Sequence, residues 1–342
     1  MGKPATPKTT VLQSVYTPTD VANYTMDVID ARLLSRRYAL RSGAGMLDTH
    51  MKPVLPGEVI NVLAYTSHGK TAFMQSWARN VIRQLQTRDT IDEMVVYLTW
   101  ETLVEELGLY DLAAMTGIDS SDAWYGDLRD EQVNQLRTAA MKRTAMPLWV
   151  MGYSLKRRKE SGSFTMKVVS EGLRSVEDNY GLRPAIIFVD YLQTIDPLNP
   201  AQERRIQVLR NVDALKQLAR QCGCPVVNGV QAGRDCLTRE FKLPEIGDGQ
   251  ETSRSEQDAD KVIALWYPCK TEVDGAVVQE LDIRVDDRLM IFGIRKQRHA
   301  ASGQIFPLHF DPETNTFTDW VERVEPENHT EHQSADTEEI PF

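Results

Sequence analysis

Long apolar runs are missing from this 342-residue chain. No stretch approaches the ~18 consecutive apolar residues that a membrane span needs, so no membrane role is expected. The first ten residues, MGKPATPKTT, hold no apolar signal core; export is not expected, and the chain reads as cytoplasmic. Cysteine is scarce: Cys222, Cys224, Cys236 and Cys269 are the four. Cys222-Gly223-Cys224 has the wrong gap for a CxxC pair, and no His lies at zinc-ligand spacing, so these read as reduced thiols. Positive charge is outnumbered, with 39 Lys+Arg against 49 Asp+Glu and a formal charge of −10. That excludes coating nucleic acid by bulk charge but leaves room for a local basic channel. The deficit is uneven. Residues 325–342 carry six acids (Glu325, Glu327, Glu331, Asp336, Glu338, Glu339) and no Lys or Arg, which leaves −4 for all that precedes them.

Apolar residues make up 42% of the chain, enough for a real core. Residues 1–17 are rich in Pro and Thr and read as a flexible start. Pro18-Thr19-Asp20 predicts a helix, with Thr19 or Asp20 as N-cap. Val21, Tyr24, Val28, Ile29 and Leu33 give it an apolar face at helical spacing, and Ser42-Gly43-Ala44-Gly45 is expected to end it. This helix and loop, 18–45, can pack at home or reach a neighbouring molecule. From Gly57 onward short apolar runs alternate with helical stretches. The runs are Val59–Ala64, Met94–Thr99, Leu148–Met151, Ala185–Val189, Pro225–Val230 and Lys261–Tyr267. That pattern predicts parallel strands covered on both faces by helices. Leu281–Val285, Leu289–Lys296 and Gln304–Phe310 add strands near the C-terminal end, with Val285-Asp286-Asp287-Arg288 read as a hairpin turn. The expectation is one α/β domain over 46–324 and an acidic, disordered tail over 325–342.

Ala64-Tyr65-Thr66-Ser67-His68-Gly69-Lys70-Thr71 carries the strongest chemistry. It is the P-loop pattern with Ala in place of the first Gly, lying directly after one strand and before a helix. Backbone N–H groups of Ser67, His68 and Gly69 in such a loop wrap phosphates at the positive end of a helix. Lys70 would reach the β- and γ-phosphates, and Thr71 would ligate Mg²⁺. Ala64 in the first position must avoid a positive φ. Ala185–Val189 ends in Asp190, a carboxylate at the tip of a buried strand that can hold the Mg²⁺ shell. Glu101 follows another strand. It can polarise an attacking water as general base or cap the helix that follows. Gln231, at the end of Pro225–Val230, can sense a γ-phosphate or be an ordinary polar strand end.

In order along the chain, Leu55-Pro56-Gly57-Glu58, Asp190-Tyr191-Leu192-Gln193, Leu215-Lys216-Gln217-Leu218-Ala219, Gln231-Ala232-Gly233-Arg234, Glu256-Gln257-Asp258-Ala259-Asp260 and Lys296-Gln297-Arg298 resemble the motor domain of replicative hexameric helicases of the DnaB type. The resemblance spans about residues 40–320. It implies a RecA-like P-loop NTPase fold with a mostly parallel sheet, and an ATP- and Mg²⁺-dependent motor moving 5′→3′ on single-stranded or forked DNA as a homohexamer. It implies that Glu101 is the catalytic glutamate and Gln231 the γ-phosphate sensor. It also implies that Lys296 and Arg298 reach the neighbouring subunit's ATP site. Residues 18–41 match only the linker helix that docks on the adjacent subunit in that family. The large N-terminal domain of the cellular enzymes has no counterpart, which puts primase engagement through it in doubt. Gln250-Glu251-Thr252-Ser253-Arg254-Ser255 replaces a more glycine-containing segment. These departures resemble phage or mobile-element versions, acting in a bacterial host cytoplasm.

Two loops are candidates for DNA: Asp196–Arg205, with Arg204 and Arg205, and Arg234–Gln250, with Arg234, Arg239 and Lys242. Arg254 follows the second. Neither offers a clear aromatic platform, so phosphate tracking is expected rather than base stacking. Arg234 matches the family's DNA-contacting Arg. The chain ends Asp336-Thr337-Glu338-Glu339-Ile340-Pro341-Phe342, which resembles the C-terminal tip of bacterial single-stranded DNA-binding proteins. It predicts docking through Ile340, Pro341 and Phe342 to replisome or repair proteins that read that tip. A RecA-like recombination or loader ATPase without unwinding is the competing reading.

Overall fold

The structure, a computed structural model, describes residues 15–35, 39–88, 92–157, 163–196, 203–250 and 254–321. Helix α1 (Pro18–Ser35) opens on Thr17, not on Thr19 or Asp20. The Asp20 N–H donates to Thr17 Oγ at 3.1 Å, and the Thr17 N–H donates back to the Asp20 carboxylate at 3.0 Å. Pro18 therefore sits at the first helical position, where its missing N–H leaves nothing unsatisfied. The glycine loop does not end this helix. Leu40 bridges Val54, and Ser42-Gly43-Ala44 leads into a second short helix, α2 (Gly45–His50). Asp48 of α2 binds that loop, accepting from the Ser42 and Gly43 N–H groups at 2.8 Å each. Leu40, Ala44 and Leu47 are buried in the main core.

The predicted alternation is present. β1 (Val59–Ala64), β2 (Glu93–Thr99), β3 (Leu148–Met151), β4 (Arg183–Asp190), β5 (Val226–Gln231) and β6 (Lys261–Trp266) pair in parallel. Between them run α3 (Lys70–Arg88), α4 (Val104–Thr116), α5 (Ser120–Tyr125), α6 (Asp130–Arg143), α7 (Met166–Tyr180), α8 (Arg204–Cys222) and the five-residue α9 (Arg254–Asp258). Alternate residues of one strand enter opposite layers, as a period of two requires. Val59 and Leu63 of β1 join Val169, Leu173, Val208 and Leu215 of α7 and α8. Ile60, Val62 and Ala64 join Phe73, Trp77 and Val81 of α3.

β6 then pairs antiparallel with β9 (Leu289–Gln297), followed by β10 (Ile305–Asp311) and β11 (Thr316–Asp319). The sheet order among the described residues is β11-β10-β9-β6-β1-β5-β4-β2-β3. The expected hairpin at Val285–Arg288 is not formed. β7 (Val277–Val278) and β8 (Ile283–Arg284) pair with each other, while β9 pairs with β6 and β10. The segment is an Asx turn instead, in which the Asp286 carboxylate accepts from the N–H groups of Arg288 and Leu289 at 2.9 and 2.7 Å. Two acids without glycine suit that turn better than a primed hairpin turn, which needs positive φ. No described helix is long and apolar enough to cross a membrane.

A buried ion network pins the helical layer to the sheet's far edge. Asp111 of α4 pairs with Arg79 of α3 at 3.4 Å and with Arg143 of α6 at 2.9 Å, and Arg79 also donates to the Asn315 carbonyl beside β11. Arg79 is 6% exposed, so deleting its partner strands a charge away from water. Asp111→Ala is expected to lower unfolding free energy by about 3–5 kcal/mol in denaturant titrations.

Candidate nucleotide site

A parallel sheet brings the C-terminal ends of its strands to one edge, and four predicted residues meet there. Register sets Ala64 opposite Gln231 and Thr99 opposite Asp190. The P-loop leaves β1 at that edge, Glu101 lies two residues beyond β2, and Asp190 and Gln231 close β4 and β5. Ala64 is still a strand residue, paired on both sides, so no glycine is needed there. The positive φ values fall later, at Ser67 (64°) and Gly69 (74°). The Phe73 N–H donates to the Gly69 carbonyl at 2.8 Å, so the loop runs straight into α3.

Lys70 lies with its ammonium 3.7 Å from the Tyr191 ring centroid. Burial pushes its pKa down, and the nearby carboxylates of Asp190 and Glu101 oppose that shift. Asp190 is 1% exposed. One of its oxygens accepts from the Tyr97 hydroxyl at 3.2 Å, while Oδ1 is buried without a hydrogen-bond partner. A buried carboxylate oxygen with an open lone pair, close to a lysine and beside the Thr71 loop, suits a hard oxygen-seeking divalent cation. Thr71 and Asp190 are thus the residues that would hold Mg²⁺ over a bound triphosphate.

The two readings of Glu101 separate here. The helix cap is supplied by Glu106, whose carboxylate accepts from the Leu103 N–H at 2.9 Å. Glu101 is left free of that duty. The Trp100 N–H donates to the Asp190 carbonyl at 3.0 Å, which holds Glu101 beside β4. Burial raises the Glu101 pKa, Lys70 opposes, and Asp190 adds to the rise. Gln231 donates from Nε2 to Thr66 Oγ at 2.7 Å, so its side chain already lies over the P-loop.

Residues beyond the predicted set also shape the site. Gly229 sits inside β5, and a Cβ there would lie 3.1 Å from both Lys70 Cδ and Tyr191 Cβ. Glycine within a strand marks close approach, and here it makes room for the lysine. Tyr97, hidden in an apolar run, orients Asp190. Two members of the family-like signature acquire definite tasks. The Glu256 carboxylate accepts from the N–H groups of Gly247 and Gly249, the latter at 2.7 Å. Asp260 accepts from the Val59 N–H at 3.0 Å and pairs with Arg298 at 3.1 Å.

Lys296 and Arg298 lie away from this chain's own P-loop. Lys296 of β9 faces Val262, which faces Asn61, three residues (about 10 Å along the strand) short of Ala64. Its ammonium donates to the Glu256 and Gln257 carbonyls at 3.2 and 2.5 Å. The DNA candidates divide. Arg205 and Arg234 are exposed. The Arg204 guanidinium donates to the Gln193 carbonyl. Arg239 is spent in a two-pronged pair with Asp248 at 2.6 and 2.7 Å, and Lys242 pairs with Glu272. Phe241, the aromatic of the second loop, packs edge-on against Trp266. Residues 197–202 and 251–253, the Arg254 side chain and the tip Ile340, Pro341 and Phe342 lie outside the described residues.

His68 anchors the phosphate loop. It is 5% exposed, and its Nδ1 accepts from the Tyr267 N–H at 3.0 Å, so the proton of the neutral ring sits on Nε2. Burial first, and then Lys270, pull its pKa down to about 4. The unfolded chain therefore takes up a proton at this position below pH ~6.5 while the folded chain does not, and stability falls as pH drops from there toward 4. Between pH 7.5 and 5, the wild type is expected to lose about 2 kcal/mol more unfolding free energy than His68→Asn, which keeps an acceptor but cannot titrate. Urea titrations of both proteins at the two pH values check this.

Comparison with known proteins follows the same lines. The family model for the DnaB-like helicase C terminal domain matches residues 39–319. The replicative DNA helicase DnaB of Helicobacter pylori is 27% identical over 290 residues, which is 78% of this chain and 56% of that protein. That of Rickettsia felis is 24% identical over 271 residues, 75% of this chain and 52% of that protein. The chain thus spans about half the length of these curated relatives. Among solved structures, one described as an ATPase domain superposes with a TM-score of 0.71 at 21% identity, covering 87% of this chain and 98% of its own. A DnaB-like replicative helicase, solved with attention to its interactions with primase, gives a TM-score of 0.70 at 21% identity, covering 87% and 67%. The fold is the RecA-like one that these neighbours share, and with 39–319 matched the chain belongs to the DnaB-like helicase C-terminal domain family.

Proposed function

We propose that this chain is the ATP-hydrolysing motor of a replicative DNA helicase, working as a hexameric ring that moves 5′→3′ on single-stranded DNA. The observation that carries the reading is the meeting of Lys70, Asp190, Glu101 and Gln231 at one sheet edge, with Gln231 opening the loop that holds Arg234. Lys70 and the P-loop N–H groups hold the β- and γ-phosphates. Mg²⁺, held by Thr71 and Asp190, would neutralise charge developing on the phosphate oxygens. Glu101, its pKa raised by burial, takes the proton of the attacking water. The water oxygen bonds to the γ-phosphorus as the bond to the ADP oxygen breaks. Gln231 registers the phosphate's departure.

Two features support assembly. Lys296 and Arg298 sit too far along the sheet to serve their own site. In α1, Val21, Tyr24, Met26, Val28, Ile29 and Leu33 are each 42–62% exposed, a stripe suited to a neighbouring subunit. Arg234 and Arg205 are the first choices for DNA phosphates, with Arg239 and Lys242 shaping the loop. Replisome partners, primase among them, would meet the assembled ring.

Lys70→Ala is expected to abolish hydrolysis and unwinding of a forked duplex. Arg298→Ala is expected to lower kcat by about 10³-fold or more. Mixed rings of the two variants should regain ATPase activity, since Lys70→Ala subunits still lend Arg298 to neighbours with an intact Lys70. Normal hydrolysis by Arg298→Ala alone would end the in-trans assignment. Hydrolysis without fork unwinding by the wild type would favour a recombination or loader ATPase.

The tip Ile340-Pro341-Phe342 is proposed to dock on proteins that read the tail of single-stranded DNA-binding protein, with Phe342 in an apolar pocket and the preceding acids on a basic rim. Burying one Phe contributes about 1.5–3 kcal/mol, so removing the last three residues should weaken binding to such a protein by about 10- to 100-fold. Fluorescence anisotropy with the full and shortened chains measures it, and equal affinity would exclude the docking role.

A further inference from the structure

Gln193 is 4% exposed and follows Asp190 by three residues, in a short 3-10 turn over Leu192–Thr194. A buried amide must satisfy its donors and acceptor, and the partners it has chosen are telling. Its Oε1 accepts from the Gln231 N–H at 3.3 Å. Its Nε2 donates to the Gln231 carbonyl at 3.4 Å and to the Gln250 carbonyl at 3.1 Å. Its own backbone carbonyl accepts from the Arg204 guanidinium. One side chain and its peptide thus touch the proposed γ-phosphate sensor, the last residue of the second candidate DNA loop, and the first residue of α8, where the first loop returns.

The surrounding bonds extend the same knot. The Gln250 N–H donates to the Gln231 carbonyl at 2.8 Å, and the Ala232 N–H donates to the Ala64 carbonyl at 2.8 Å. Gln231 reaches Thr66 of the P-loop through its amide. A displacement of Gln231 on loss of the γ-phosphate would reach Gln250 through their direct backbone bond and through the Gln193 amide that spans both, while the Gln193 main-chain carbonyl links the same segment to Arg204. The second loop has further anchors at its other parts. The Tyr65 hydroxyl donates to the Lys242 carbonyl at 2.6 Å, and Arg295 donates to the Pro244 carbonyl at 2.8 Å. Those bonds tie the middle of the loop to the P-loop segment and to β9, and Gln250 is the residue through which Gln193 reaches it.

We propose that Gln193 is the positioning residue that couples the nucleotide state at Gln231 to both DNA loops, a role that rests on the helicase reading above. It touches no substrate atom, so its signature lies in coupling. The measurements are ATPase kcat and KM with and without single-stranded DNA, and DNA affinity with a slowly hydrolysed ATP analogue and with ADP. In Gln193→Ala, the ATP KM should stay within about threefold of the wild type. The stimulation of kcat by DNA should fall toward one, and the difference in DNA affinity between the two nucleotides should collapse. Gln193→Glu keeps the acceptor for the Gln231 N–H and loses the donor to Gln250, and it should lose stimulation in the same way. Stimulation within twofold of the wild type in either variant overturns the proposal. Loss of ATP binding in both variants overturns it as well, since Gln193 would then serve the fold. If the wild type itself shows no DNA stimulation, the helicase reading falls and this proposal with it. If the wild type is stimulated and the variants match it, only this proposal falls.

Discussion

Parallel pairing forces every strand to finish at the same edge of the sheet, and the site depends on that constraint more than on any single residue. β1, β2, β4 and β5 come from positions 59 to 231, yet their ends lie side by side. On the proposed reading each strand delivers one chemical group: a phosphate loop, a general base, a metal-holding carboxylate and a sensor. The apolar layers on both faces keep the strands in register. A slip of one residue would turn the buried Asp190 carboxylate from Tyr97 and Lys70 into an apolar helical layer, leaving its charge without compensation.

The same edge explains the polar atoms that the core tolerates. Asp190 is almost fully buried and has one oxygen without a partner, a state that a structure serving stability alone would not keep. Tyr97 orients it, Gly229 clears space for Lys70 beside it, and the Trp100 N–H ties the Glu101 segment to its carbonyl. β9 runs antiparallel to β6 and so carries Lys296, with Arg298 just past its end, back along the sheet away from the P-loop edge. In the proposed ring, one domain thus presents complementary parts of an ATP site on separate surfaces, which a second subunit brings together.

Much of this was legible in the residues because it is local. The strand–loop–Lys70–Thr71–helix order, the apolar run ending in Asp190 and the alternation of short strands with helices need only neighbours in sequence. What was misread is non-local. Val285–Arg288 has the look of a hairpin, but β8 finds its partner in β7 and β9 in β6, so the turn joins different sheets. The helix start was misplaced by two or three residues because Thr17 and Asp20 cap each other across Pro18. The acidic partners of Arg239 and Lys242, Asp248 and Glu272, are likewise set by the fold and not by neighbours in sequence.

The sequence by itself determined the phosphate loop, the buried strand ending in Asp190, the layered α/β plan and the apolar stripe of α1, since periodicity and short spacing encode these directly. Tertiary structure decided the rest. It assigned the helix cap to Glu106 and so released Glu101. It placed Lys296 and Arg298 away from their own P-loop. It also brought Gln193, which the sequence marks only as the end of a motif, into contact with Gln231, Gln250 and Arg204. Each of these depends on which distant groups share a low-dielectric neighbourhood, and that is set by strand register rather than by order along the chain.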